Sequence, residues 1–158
     1  MTDITKRTTL MVRDAEKAAR WYQDVLGMTR WMDVPFELSG TQLAAGKKGD
    51  KTRLVIMKAE HETIGMIGLL QWVDPPRADI PDDLPTEIPF GAPVFVVAAE
   101  DTRATLDRAR AAGSRIHCEP REWSVTGADG KVKDMLGASF WDLDGYFYET
   151  NQVVQVHE

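Results

Sequence analysis

The pattern that most constrains this chain is written in it twice. Thr8-Thr9-Leu10-Met11-Val12 reads as a strand. Asp14 follows at the position of a helix N-cap, where a carboxylate accepts hydrogen bonds from the first free N–H groups. Ala15, Ala18, Ala19, Tyr22, Val25 and Leu26 recur at helical spacing and make one apolar stripe, which Gly27 ends. The same events recur later. Val94 to Ala98 reads as a strand, Glu100 or Asp101 as a cap, Thr102, Thr105, Leu106, Ala109 and Ala112 as a helix stripe, and Gly113 as its end. Strand-like segments follow each helix: 28–34, 41–45, 53–58 and 65–72 in the first half, and 115–118, 122–125, 131–139 and 146–153 in the second. Ala128-Asp129-Gly130 marks a hairpin. Each half therefore predicts a strand, a helix and about three strands.

The halves meet in Asp74 to Pro89, which holds five of the eight prolines beside five acidic residues. Proline offers no N–H to a sheet and stiffens the path, so 74–90 reads as a surface linker between modules at 1–73 and 91–158, the whole forming one structural domain. A lid over a cleft is the other reading of so long a connection.

The second repeat ends on Asp142-Leu143-Asp144-Gly145-Tyr146-Phe147-Tyr148-Glu149. Asp-Gly supplies a tight turn, because glycine adopts the positive φ such turns need. In the strand that follows, Phe147 and Glu149 share one face and Tyr146 and Tyr148 the other. A carboxylate beside an apolar neighbour calls for a partner, and a metal or a ligand's positive group would serve.

These segments resemble a known family. Val12-Arg13-Asp14, the helix with Trp21-Tyr22 and the closing Leu26-Gly27 look like the first-helix signature of the vicinal oxygen chelate superfamily, which includes glyoxalase I, bleomycin-resistance proteins and extradiol dioxygenases. The segment from Asp142 to Glu149 is similar to that family's C-terminal D-P-D-G-x-x-x-E, with Leu143 in place of proline. The resemblance implies an α+β fold of two βαβββ modules, glyoxalase-like, whose curled mixed sheets form a cup with the helices outside. It also implies a divalent-metal site built from the first and last strand of each module.

The positions so implied are Arg7, the neighbourhood of Gln71, Val94 (or Pro93) and Glu149. Arginine has no lone pair to offer, and valine and proline offer none either. An amide oxygen is a weak ligand for transition metals. Glu149 alone matches, with Gln71 a marginal second if a metal is present. The reading is that no metal or other cofactor is held, although a divalent metal stays open as the alternative. His61, His117, His157 and the lone Cys118 fall on no implied ligand position.

A cup without metal still has aromatic material. Trp31, Phe36, Trp72, Phe95, Trp123, Phe140 and Trp141 lie on candidate strands, and tryptophan both stacks on flat rings and attracts cations. Arg7, Gln71, Trp31, Trp72, Trp123 and Trp141 are thus candidate ligand contacts, with Glu149 the candidate catalytic carboxylate. Bleomycin-resistance-type members are similar in sequestering a ligand without a metal. Binding of a small aromatic or cationic molecule is the first functional reading. A metal-dependent lyase, isomerase or dioxygenase is the second, so whether the chain is an enzyme stays open.

A net charge of −6 argues against nucleic acid as partner. No apolar run approaches the ~20 residues that cross a bilayer, and Met1 to Arg7 lacks the apolar core of an export signal. A cytoplasmic homodimer is expected, since each half is too small to cover both faces of its own sheet.

Overall fold

A computed structural model describes residues 2–157; the module ends expected at residues 1 and 158 lie outside them. The elements run β1 (Arg7–Met11), α1 (Ala15–Leu26), β2 (Thr29–Glu37), β3 (Lys51–Lys58), β4 (Met66–Asp74), β5 (Val94–Ala98), α2 (Thr102–Ala111), β6 (Arg115–Thr126), β7 (Val132–Trp141) and β8 (Phe147–Val156). They form two open four-stranded sheets, ordered β1-β4-β3-β2 and β5-β8-β7-β6. In each, the first strand lies parallel to the last and the remaining pairs are antiparallel. This is the α+β, twice-βαβββ architecture that the duplicated sequence predicts. The chain divides into two compact units, Met1–Asp82 and Asp83–Glu158.

The caps read from sequence form. Asp14 Oδ1 accepts the N–H groups of Glu16 and Lys17, both at 3.0 Å. Gly27 closes α1 at φ 66°, a left-handed conformation that favours glycine. Asp101, rather than Glu100, caps α2 by accepting from Ala104 N at 3.0 Å.

Each helix covers one side of its own sheet and leaves the other side to be called the open face. In the first unit, Trp21 and Tyr22 are buried and meet edge to face at 4.9 Å. Glu16 leaves the helix to meet Arg30 on β2 and Arg53 on β3, each at 3.0 Å, while Asp33 also accepts from both arginines. The bonds from Arg30 and then Arg53 hold the Glu16 carboxyl down to about 2. In the second unit, Tyr148 stacks between Phe95 at 4.9 Å and Phe140 at 6.0 Å.

Three expectations change. Residues 41–45 are not a strand. Gly40 and Gly46 take positive φ on either side of them, and the loop turns back so that Leu38 and Ala45 pack on Leu70, Trp72 and Leu54. Burying those side chains wins over extending the sheet. Next, 115–118 and 122–125 are one strand, β6, with register shifts between Ile116 and Cys118 and between Cys118 and Arg121. The extra residues bend the strand without ending it. Finally, β8 runs on to Val156, beyond the expected end at 153, and His157 after it donates its N–H to Val132 O and places Nε2 2.7 Å from Asp134.

Candidate functional site: the open face of the second sheet

The Asp142 to Tyr146 turn sets this face. Asp142 is buried, and its Oδ1 accepts the N–H groups of Asp144 at 2.9 Å and Tyr146 at 2.8 Å, with Gly145 at φ 90°. The turn thus starts β8 in one register. Tyr148, Thr150 and Gln152 then point to α2, and Phe147, Glu149 and Asn151 to the open face. Gln152 decides the assignment, since its Oε1 accepts from Thr102 N, the first residue of α2, at 2.9 Å.

Cross-strand pairing arranges the open face in rows. Trp141, Phe147 and Val94 make the first; Cys118, Ser139, Glu149 and Val96 the second; Arg121, Gly137, Asn151 and Ala98 the third. Cys118, Arg121, Trp123, Gly137, Ser139, Glu149 and Asn151 line an open cavity of about 330 Å³. Phe147 is buried, with Trp141 at 4.8 Å and His117 at 5.4 Å against its ring, whereas Glu149 is exposed.

The indole of Trp123 lies across Gly137. A Cβ at position 137 would stand 2.6 Å from Trp123 Cη2 and 2.7 Å from Thr150 O, so only glycine leaves the ring this seat. A flat, partly exposed ring thus sits one row from a carboxylate.

The first sheet answers where the other sequence candidates went. Gln71 faces the helix, its Oε1 accepting from Ala15 N at 2.9 Å. It does for α1 what Gln152 does for α2. Gln152 stands three positions after Glu149, and Gln71 three after Gly68, so the first-unit counterpart of Glu149 is Gly68, not Gln71. The pairing agrees, with Thr9 opposite Gly68 and Val96 opposite Glu149. This corrects the expected register. Replacing Gln71 by alanine leaves the Ala15 N–H without that partner and should cost about 1 kcal/mol, read as a shift in urea midpoint. An unchanged midpoint would contradict this capping role.

Arg7 shares the open face with Thr9 and Gly68. Its Nε donates to Thr9 Oγ1 at 3.1 Å, and a Cβ on Gly68 would meet Arg7 Cδ at 3.2 Å. The arginine stem therefore occupies the room a side chain at 68 would need. Trp72 and Trp141 are buried, and each carries an arginine on its ring: Arg77 at 4.7 Å and Arg115 at 4.9 Å. Both indoles are thus already covered. Trp31 is exposed on β2, at the register shift between Arg30 and Met32. Of the four tryptophans singled out by sequence, Trp123 is the one that lines the open cavity with Glu149. Arg121, Ser139, Asn151 and Gly137 join it without having been singled out.

The four positions that the family resemblance assigns to metal ligands thus hold Arg7, Gly68, Val94 and Glu149. One carboxylate, one guanidinium and two side chains without lone pairs do not fit a divalent ion. Among the described residues no three His, Cys, Asp or Glu side chains converge.

The sequence profile of the Glyoxalase/Bleomycin resistance protein/Dioxygenase superfamily matches residues 5–149. The chain belongs to this superfamily. Solved structures agree on the fold. A glyoxalase family protein from Bacillus cereus superposes with a TM-score of 0.75 at 13% identity, covering 98% of this chain and 97% of that one. A glyoxylase/bleomycin resistance protein/dioxygenase domain from Frankia sp. EAN1pec gives 0.58 at 18% identity, over 99% and 96%. TnmS3, an antibiotic binding protein from Streptomyces sp. CB03234, gives 0.54 at 18% identity, over 97% of each chain. No curated protein sequence matches. Among the described residues no helix is long and apolar enough to cross a membrane. For a member of this superfamily, the departures at Arg7, Gly68 and Val94 are the informative positions.

Proposed function

We propose that this superfamily member binds a small flat cation without a metal, on the open face of its second sheet. The observation that carries the reading is the Trp123 indole seated on Gly137 beside the exposed Glu149 carboxylate, in a cavity of about 330 Å³. The ring face supplies stacking and cation attraction, and Glu149 supplies the countercharge. Asn151 and Ser139 offer hydrogen bonds beside them. Likeness in fold to an antibiotic binding protein is compatible with a sequestering role. The chain is read as a cytoplasmic homodimer. The apolar side chains exposed late in β8 (Val153, Val154 and Val156) support self-association.

N-Methylquinolinium is a suitable probe. Trp123→Ala and Glu149→Gln should each weaken its binding about tenfold, measured by calorimetric titration. Glu149→Gln should leave the thermal midpoint unchanged, since the carboxylate is exposed. Wild-type affinity in both variants would sink the reading. The match of Glu149 to the family's carboxylate favours a second reading, a metal-dependent lyase, isomerase or dioxygenase. Stoichiometric zinc, nickel, manganese or iron retained through dialysis would decide for it.

A further inference from the structure

The first unit contains a second place where a flat cation rests on an indole, and there the cation belongs to the chain itself. Trp72 ends β4 with its edge fixed, Nε1 donating to Asp50 Oδ2 at 3.2 Å. Over its face lies the Arg77 guanidinium, 4.7 Å from the ring centre. Asp79 takes that guanidinium through two bonds, one of them from Nε at 2.7 Å, and Arg77 Nη1 reaches Met11 Sδ at 3.0 Å. Arg13 Nη2 holds the same segment by donating to Pro81 O at 2.7 Å. Beside the stack, Lys47, Asp50, Trp72, Pro76 and Arg77 contribute to the wall of a cavity of about 320 Å³.

Remove the guanidinium in thought and two complementary surfaces remain. One is a π face and the other a carboxylate, which together receive a planar cation. We propose that the Trp72 ring face at the wall of this cavity is a binding site for guanidinium- or amidinium-bearing aromatic molecules, occupied in this conformation by Arg77 acting as a tethered surrogate. The site rests on first-unit contacts alone and stands or falls apart from the Trp123 cleft. A tethered group competes at an effective concentration on the order of millimolar, so a free cation binds weakly until Arg77 leaves.

Each of the five tryptophans carries one indole N–H, and Trp72→Phe identifies the Trp72 resonance for such a test. Phenylguanidinium is titrated into the full wild-type chain and into Arg77→Ala. The Trp72 resonance should move at about tenfold lower concentration in the variant, and neutral phenylurea should not move it in either. Arg77→Gln keeps a planar cover without the charge and should behave as Arg77→Ala does; it serves where the alanine variant unfolds. Equal concentrations in variant and wild type, no movement in the variant, or an equal response to phenylurea would each overturn the proposal. The Trp123 resonance reports the other cleft in the same spectra.

Discussion

Replacing Gly137 by alanine should destabilise the protein by about 1–3 kcal/mol and weaken N-methylquinolinium binding about tenfold. The added Cβ would stand 2.6 Å from two atoms of the Trp123 ring and 2.7 Å from the Thr150 carbonyl. Both are well inside contact distance. The indole can swing away, since Trp123 is 39% exposed, but Thr150 O is backbone in the middle of β8 and gives little. The stability cost therefore comes from the strand and the binding loss from the displaced ring. Urea unfolding and calorimetry separate the two. A variant with full stability and full affinity would show that the indole does not depend on its glycine seat.

A larger loss of stability is expected from Phe140→Ala, about 3–5 kcal/mol, the cost of a large cavity in a closed core. Phe140 is fully buried and stacks on Tyr148, which in turn stacks on Phe95. Emptying one end of this three-ring stack strips contacts from the others. Neighbouring residues of β8 should thus respond in opposite ways. Disturbing what Tyr148 rests on should shift the unfolding midpoint strongly, while Glu149→Gln should not. A Phe140→Ala cost below about 1 kcal/mol would mean that the helix side of this sheet is not the rigid core described.

The fold was legible because its signals are local and repeated. Asp14, Gly27 and Asp101 act through the backbone next to them, so their spacing carries their meaning. The Asp-Gly turn likewise announces β8. Residues 41–45 misled because five residues are too few for periodicity to tell a strand from a loop, while the Trp72 surface that draws the segment into a loop lies far off in sequence. The site was half legible. Glu149 was singled out by its turn-and-strand motif and Trp123 by residue type, and both line one cavity. Gln71 was misplaced because a long strand allows several registers, and the duplication fixes one only when the two helix-facing glutamines are matched. Gly137 and Gly68 were invisible, since a glycine that makes room for a ring or an arginine stem leaves no periodic trace. Nor does sequence tell which tryptophans are already covered by arginines.

The paired glutamines have one further consequence. Gln71 and Gln152 each pin a helix to the last strand of its own unit, on the side away from the open face. The anchoring is therefore held in common by the two halves, while the opposite surfaces have come to differ as much as glycine does from glutamate. A scaffold organised in this way separates what must be kept from what is free to vary. Exposed positions of the open face such as Glu149 can change without touching these anchors, whereas Gly137, pressed against the Thr150 carbonyl, cannot.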